Sequence, residues 1–387
     1  MTIDGLSTPA VLIDRARAQR NIDRMQAAAS TRGVRLRPHS KTHKSPVVAR
    51  WQIDRGAIGI CCAKLGEAEV FAAEGIPDIR LPYPLNPANA DRLVALLDRT
   101  HLSFIVDHPV VAKQWSDEMT RAGREVDVLV KVDVGFHRCG IDPGADGAVE
   151  LIKGVAALPG LRLRGLLSHA GHAYHAHSEE ELRQMAADEA ATMRELVARC
   201  RGAGIQIDEV SAGATPPARF SLQQDGLTEY RPGNYVYFDR TQVSLGAATL
   251  DDCALTVLAR VVSKPSADRI ILDSGSKTLS SDGARGFQPA PGYGTILRGP
   301  GGQPGPGRHF WSGNGEPIAD HTLLIERLSE EHATVKVTTG STPLEPGDCV
   351  RIVPNHSCVV SNLVDQAWLV DGDSVEALPI AARGQIT

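Results

Sequence analysis

Twelve residues near the N-terminus, Arg35–Pro46, combine two arginines, two lysines and two histidines in the run R-L-R-P-H-S-K-T-H-K-S-P. Two kinds of chemistry fit such a run. A basic patch binds polyanions through its charge, whereas a single lysine reacts with carbonyl compounds when burial lowers the pKa of its amine. The run begins inside a predicted strand over Val34–Arg37, which would place Lys41 just beyond the strand end.

Polar and small residues also follow four later predicted strands. These segments are Asp133–Gly140 (D-V-G-F-H-R-C-G), Ser168–His175 (S-H-A-G-H-A-Y-H), Ser211–Thr215 (S-A-G-A-T) and Arg231–Tyr235 (R-P-G-N-Y). The last two are typical of loops whose backbone N–H groups bind a phosphate. A lysine at one strand end and a phosphate loop at another suggest pyridoxal phosphate held as a Schiff base, although lysines and phosphate sites are each common.

His356 and Cys358 form an H-x-C pair after the apolar strand Val350–Val353. If this segment stays extended, both side chains point to the same side. An imidazole and a thiolate suit zinc better than a hard cation. A buried cysteine beside a polar loop histidine is the alternative, which the two residues alone favour, and the sequence identifies no third protein ligand.

Composition argues against several classes of protein. The 41 basic and 46 acidic side chains give a net charge of −5, whereas nucleic-acid binding needs a broad basic surface. No apolar run approaches the roughly 18 residues that span a bilayer, and the N-terminus lacks a signal-peptide pattern. Seven scattered cysteines without a C-x-x-C motif predict reduced thiols. We therefore expect a cytoplasmic protein without nucleic-acid or membrane partners.

Strands alternating with amphipathic helices must position these residues in the first two thirds of the chain. The predicted strands are Val34–Arg37, Ala57–Cys61, Ile79–Leu81, Leu102–Val106, Val126–Val132, Leu163–Leu167, Ile207–Ser211 and Thr228–Arg231. The predicted helices are Ala16–Arg32, Lys64–Glu74, Asn89–Asp98, Ala112–Ala122, Ala148–Leu158 and Glu179–Ala203. Eight parallel βα units predict an α/β fold, a closed (β/α)8 TIM barrel, with catalytic groups at the C-terminal ends of its strands.

A second, mostly β domain is predicted from about Tyr237 onward, where strand-like runs are separated by Gly, Pro and Asp. Its predicted strands are Ala254–Val262, Arg269–Leu272, Thr322–Arg327, Thr334–Thr338, Cys349–Val353 and Ala367–Val370, with a loop over Gly299–Gly307. Pro9–Ile13 precedes the first helix and is expected to pair with this domain. The predicted division is 15–236 for the barrel and 1–14 plus 237–387 for the β domain.

The run R-P-H-S-K-T-H-K resembles the cofactor-lysine motif of the D-threonine aldolase / D-serine dehydratase family, fold-type III pyridoxal-phosphate enzymes related to alanine racemase. Further similarities follow in family order along essentially the whole chain: Thr8–Asp14 with Asn21-Ile22, Lys64–Glu69, Asp133 with Arg138–Gly140, Ser211 with Thr215-Pro216, Arg231–Tyr235, Leu272–Lys277 and Pro354–Cys358. The resemblance implies a barrel plus a C-terminal β domain, with the active site between them and completed by the second subunit of a homodimer.

The resemblance also implies roles for individual residues. Lys41 would be the Schiff-base lysine, with His39 near the cofactor. The residues implied to contact the cofactor are Arg138 at the pyridine ring, Tyr174 beside it, Gly213, Thr215, Gly233 and Asn234 in the phosphate cup, and Tyr235. His356 and Cys358 would bind a divalent metal near the β-hydroxyl of the substrate, with zinc expected and manganese or magnesium as alternatives.

Three activities share the scaffold that this resemblance implies. A racemase would need a second base, usually a tyrosine, where this chain has the metal pair, so racemisation is disfavoured. A D-serine or D-threonine dehydratase would release a 2-oxo acid and ammonia, and a D-threonine aldolase would release glycine and an aldehyde. The H-S-C pair and the loop H-A-G-H-A-Y favour dehydration, because aldolases of the family tend to pair His with Asp. A non-catalytic pyridoxal-phosphate carrier is disfavoured by the long β domain.

Overall fold

The computed structural model describes residues 2–287, 289–298, 318–372 and 374–387. The predicted loop Gly299–Gly307 lies outside them. The chain divides into two compact units, the first Met1–Ile22, Thr42–Ser45 and Asn234–Arg383, the second Asp23–Lys41, Pro46–Gly233 and Gly384–Thr387. The domain boundaries drawn from the sequence, 15–236 and 1–14 plus 237–387, stay a prediction.

Eight parallel strands form the barrel of the second unit. Numbered in chain order, they are β2 (Arg35–Leu36), β3 (Ile60–Cys61), β4 (Asp78–Pro84), β5 (His101–Val106), β6 (Val126–Lys131), β7 (Leu161–Leu167), β8 (Glu209–Ala212) and β9 (Glu229–Tyr230). They pair in the order β2-β9-β8-β7-β6-β5-β4-β3. The two ends of this order, β2 and β3, meet where a parallel bridge links His39, shortly after β2, to Cys61 of β3. The Cys61 N–H also donates to the Pro38 carbonyl at 2.7 Å. The predicted α/β barrel is confirmed.

Helices α1 to α8 alternate with these strands, and the sequence pattern predicted all of them except α2 and α8. The helices are α1 (Arg15–Thr31), α2 (Pro46–Asp54), α3 (Leu65–Ala73), α4 (Ala90–Leu97), α5 (Pro109–Arg121), α6 (Ala148–Ala156), α7 (Glu179–Gly202) and α8 (Ala218–Ser221), followed by α9 (Arg240–Ser244), α10 (Ser276–Leu279) and α11 (Ser357–Leu363) in the first unit. In α7 the Ser178 side chain accepts the Glu181 N–H at 3.1 Å, and three glutamates occupy the first turn. Both features stabilise a helix N-terminus. None of the helices in the described part of the chain has the length and apolar character needed to cross a bilayer.

A buried ionic cluster joins four strands of the barrel. Arg80 of β4 lies 2.5 Å from Glu229 of β9 and 2.8 Å from Glu209 of β8, and Arg37, directly after β2, lies 2.7 Å from Glu229. Burial opposes ionisation of Glu229, but the charges of Arg80 and Arg37 lower its pKa to about 2. The cluster is therefore ionised at neutral pH, and its carboxylates and guanidiniums satisfy one another.

The first unit is mostly β. Its strands are β1 (Ala10–Asp14), β10 (Leu255–Ser266), β11 (Arg269–Leu272), β12 (Thr295–Arg298), β13 (Ile318–Ala319), β14 (Leu323–Leu328), β15 (Ala333–Val337), β16 (Cys349–Val353), β17 (Gln366–Asp371) and β18 (Ser374–Pro379). As expected, β1 pairs here, antiparallel with β10 and parallel with β17. Its buried side chains pack with those of β10, β16 and β17 around Leu12 and Leu258. The sheet thereby fixes β16, which leads into His356.

Candidate active-site residues and metal pair

The predicted cofactor lysine lies in the loop after β2. Ser40–Thr42 form a single turn of 3-10 helix, and the Lys41 N–H donates to Nδ1 of His39 at 3.3 Å. The strand end positions this turn, because His39 is itself bridged to Cys61. From the sequence we expected the amine of Lys41 to be buried. Lys41 is instead an exposed side chain, so burial does not provide its reactivity within this chain.

His169, just after β7, is a half-buried histidine of the barrel loops. Its Nδ1 lies 2.5 Å from the carbonyl oxygen of Gly213. Burial, followed by the charge of Lys41, lowers the pKa of His169 well below its ordinary value. The imidazole is therefore neutral, with Nδ1–H donating to Gly213 and Nε2 left as an acceptor. His172 of the same loop is also half-buried, whereas His175 and His177 are exposed.

Three further charged groups are buried beside these loops, and the sequence assigned a role to none of them, although Arg231 lies in a segment that stood out. Arg231 donates from Nε to the Ser211 hydroxyl at 2.7 Å and from Nη2 to the Ser168 carbonyl. The Ser168 hydroxyl donates to Glu189 at 2.7 Å. Burial, followed by the charge of Arg231, lowers the pKa of Lys131 to about 8. The chain thus contains a readily deprotonated amine at the end of β6.

The predicted phosphate-binding residues have features that suit an anion. The N–H groups of Gly213, Thr215, Gly233 and Asn234 donate to no backbone carbonyl among the described residues. The Thr215 hydroxyl is buried without a hydrogen-bond partner in that same set. A Cβ on Gly213 would approach the Arg231 backbone to 2.7 Å, so only glycine fits there. Free N–H groups and a buried hydroxyl fit a phosphate.

The remaining predicted cofactor contacts differ in exposure. Arg138 is exposed, and its guanidinium lies over the Phe136 ring, 5.1 Å from the centroid. Tyr174 is half-buried in the 3-10 helix Gly171–His175, and Tyr235 is fully buried. No contact with a cofactor follows from these positions alone, so these three assignments stay predictions.

The His356–Cys358 pair lies in the mostly β unit, after β16. The segment does not stay extended, because His356 is the N-cap of α11 and Cys358 lies in its first turn. The side chains nevertheless meet in a hydrogen bond, and the Cys358 sulfur also contacts the Thr42 hydroxyl at 3.1 Å. The Asn234 amide lies 3.5 Å from the same sulfur. These contacts offer two hydrogen-bond donors to a thiolate.

Carboxylates flank this pair. Asp282 Oδ2 lies 2.6 Å from Nδ1 of His356, and buried Asp239 accepts the Ser357 N–H at 3.0 Å. Burial lowers the pKa of His356, but the hydrogen bond and charge of Cys358, with Asp239 and Asp282, raise it to about 10. No group of three or more potential metal ligands occurs in the described ranges. The site thus offers one nitrogen and one sulfur, a donor set that fits zinc with other positions left open.

Comparison with known families agrees with this fold. Residues 13–241 match the family described as "Alanine racemase, N-terminal domain", and residues 254–370 match "Putative serine dehydratase domain". The D-threo-3-hydroxyaspartate dehydratase of Delftia sp. (strain HT23) is 36% identical over 365 residues, 92% of each chain. The chain belongs to the D-threonine aldolase / D-serine dehydratase family.

Members of this family with different reactions resemble the chain to a similar degree. The D-threonine aldolase of Arthrobacter sp. is 33% identical over 386 residues, 98% of this chain and 93% of the relative. Family membership alone therefore leaves the reaction type open.

A solved structure of the Delftia dehydratase provides the structural match within the family. It superposes with a TM-score of 0.89 at 31% identity and covers 98% of each chain. That protein is a mutant with a cysteine replaced by alanine, in the metal-free form. In a second mutant of the same enzyme, a histidine two positions earlier is replaced. The spacing equals that of His356 and Cys358. Pyridoxal phosphate is the cofactor expected for the family.

Proposed function

We propose that this protein is a pyridoxal-phosphate- and metal-dependent lyase that dehydrates D-β-hydroxy amino acids, such as D-serine or D-threonine, to a 2-oxo acid and ammonia. The observation that supports the reaction type is the contact between the His356 imidazole and the Cys358 side chain, which can supply sulfur to a metal. Lys41 attaches the cofactor, and Gly213, Thr215, Gly233 and Asn234 donate to its phosphate. Bound pyridoxal phosphate supplies an electron sink for charge that develops at Cα.

The chain's own residues account for the proton movements. Lys41 is the base that removes the Cα proton, because an exposed amine can reach a bound substrate. Neutral His169 lies close enough for the charge of Lys41 to lower its pKa, and its Nε2 would accept a hydrogen bond from a donor on the bound cofactor or substrate. A divalent metal held by His356 and Cys358 would supply a Lewis acid for the departing β-hydroxyl. Zinc is our choice because a thiolate is a soft ligand.

Product analysis tests this proposal. The full-length protein is incubated with pyridoxal phosphate and Zn²⁺, and D-serine, D-threonine and their L-forms are supplied separately. We expect pyruvate or 2-oxobutyrate with equimolar ammonia from the D-forms only. Glycine plus acetaldehyde from D-threonine would instead establish the aldolase reaction, the second candidate, which the 33% identity to the Arthrobacter aldolase favours.

Lys41 and the assembly state are tested separately. Lys41→Ala should abolish turnover and the absorbance of the bound cofactor, whereas Lys113→Ala, at a lysine paired with Asp117 on the exposed face of α5, should change neither. The family resemblance also leads us to propose a homodimer, which light scattering after gel filtration would detect as twice the 41.4 kDa chain mass. Cytoplasmic localisation stays a prediction.

A further inference from the structure

Asp282 lies in the loop after α10, a segment in which the sequence carries no recognisable motif. Its Oδ2 is 2.6 Å from Nδ1 of His356, and the two side chains are about equally accessible, at 33% and 34%. Only Nε2 of the ring then remains for another partner. A ligating histidine commonly donates its second ring N–H to a carboxylate, which fixes the tautomer and the ring orientation.

Hydrogen bonds hold both ends of this pair in place. The Asp282 N–H donates to the Ser280 hydroxyl at 3.1 Å, and the Asp282 carbonyl accepts from the Asn355 amide at 2.9 Å. Asn355 directly precedes His356, and its own amide oxygen accepts from Arg240 at 3.1 Å. The same side chain thus fixes the loop that bears the carboxylate and the segment that bears the imidazole.

Backbone strain marks the same loop. Ser280 is a buried non-glycine residue with φ of 65° and ψ of 158°. Side chains disfavour this region, at a cost of roughly 1–3 kcal/mol, so it persists only where the surroundings enforce it. Because the hydroxyl of Ser280 receives the Asp282 N–H, the strained residue itself holds the carboxylate in position.

We infer that Asp282 is a positioning residue of the metal centre, which orients His356 so that Nε2 is presented to a divalent cation. The inference rests on the proposed metal dependence and assigns a role to a residue outside the H-x-C pair. Its carboxylate increases the basicity of the imidazole ligand, and loss of such a partner lowers metal affinity by about 10- to 100-fold.

Metal titration tests the inference without reference to catalysis. The full-length protein, loaded with pyridoxal phosphate and stripped of metal by a chelator, is titrated with Zn²⁺ in a calorimeter. Asp282→Ala should weaken binding by about 10- to 100-fold. Asp282→Asn, whose amide oxygen still accepts from Nδ1–H, should recover most of this loss. With Co²⁺, the thiolate-to-metal charge-transfer band should persist in both variants, because Cys358 is intact.

Matched controls separate positioning from other roles. Asp268→Ala removes an exposed carboxylate of the same unit, which accepts from the Ser266 hydroxyl, and should leave the dissociation constant unchanged. Equal melting temperatures of the metal-free variants would show that the fold is intact. An unchanged dissociation constant in Asp282→Ala would overturn the inference. So would an Asp282→Asn variant as weak as Asp282→Ala, since the carboxylate would then itself be a ligand.

The two proposals can fail independently. If the wild-type protein binds Zn²⁺ with the expected dependence on Asp282 but releases no 2-oxo acid, the dehydratase proposal fails and the role of Asp282 stands. If the wild-type protein binds no metal, the inference is overturned, whatever the product assay shows.

Discussion

At the scale of single residues, the sulfur of Cys358 should set the choice of metal. A thiolate is soft and favours zinc, whereas a carboxylate is hard and favours manganese or magnesium. Replacing Cys358 by Asp should therefore lower the Zn²⁺ affinity by at least about tenfold and shift the preference toward Mn²⁺. Calorimetric titration with each metal measures both effects.

The control for this prediction is Cys349→Ala, at a buried cysteine of β16 in the same unit. Its metal preference should match that of the wild type. An unchanged ratio of Zn²⁺ to Mn²⁺ affinity in the Cys358→Asp variant would show that the sulfur is not a ligand.

Glu229 is the residue on which the buried ionic cluster of the barrel depends. It lies 2.5 Å from Arg80 and 2.7 Å from Arg37, and it accepts from the Ser211 hydroxyl. Glu229→Gln would leave two buried guanidiniums without their shared counter-charge, which should lower the free energy of unfolding by about 3–5 kcal/mol. Urea denaturation of wild type and variant measures this loss.

Glu118→Gln is the matched comparison, because it removes the half-buried partner of exposed Arg121 on the surface of α5. Surface pairs contribute about 0–1 kcal/mol, so little change is expected. Equal effects of the two substitutions would mean that the buried cluster is no more stabilising than a surface pair.

At the scale of elements, local sequence patterns account for the barrel. The strand β6 is buried at all six positions although it includes Asp127 and Lys131, and α7 begins after Ser178 as a capping pattern predicts. Sequence patterns failed to predict short elements. The helix α11 contains two successive β-branched residues, Val359 and Val360, has no helical period and follows an apolar strand. The sequence therefore favours an extended conformation there, whereas tertiary contacts impose a helix.

The sequence identified only part of the candidate site, for a different reason. Lys41, His356 and Cys358 stood out because their types and spacing are unusual. Asp282, 74 positions before His356, and Thr42, 316 positions before Cys358, have no local pattern that could indicate their contacts. Such pairings arise from topology, which the strand periodicity does not specify at the level of side chains.

The N-cap of α7 offers a test at the scale of one element. Ser178→Ala would remove the acceptor for the Glu181 N–H and should lower stability by about 1 kcal/mol, whereas Ser178→Asp should retain it. Amide hydrogen exchange of the first turn should be faster in the Ala variant only. Equal exchange in all three proteins would show that the three glutamates of the first turn stabilise the helix end without the cap.

At the scale of the whole molecule, His101 makes stability depend on pH at the start of β5. Its ring lies 3.1 Å from Asp127 and 3.3 Å from Asp78. The hydrogen bonds to Asp127 and then Asp78 raise the pKa of His101 to about 9, above its ordinary 6.5. Burial opposes ionisation of both carboxylates, but His101, with Arg37 at Asp78 and Arg162 at Asp127, lowers their pKa values.

The sign of the effect follows from the raised pKa. The folded state holds the proton more tightly than the unfolded state, so the stabilisation is complete below pH 6.5 and is lost as the pH rises through about 9. Because His101 is 49% exposed, solvent screening reduces the effect to about 1 kcal/mol.

Urea denaturation between pH 6 and pH 10 should show this decline in stability in the wild type. His101→Gln should flatten it, whereas His321→Gln, at an exposed histidine of the other unit, should not. If the stability profile of His101→Gln ran parallel to that of the wild type, the decline would come from other groups. The charge of His101, which links the starts of three neighbouring strands, would then contribute nothing to stability.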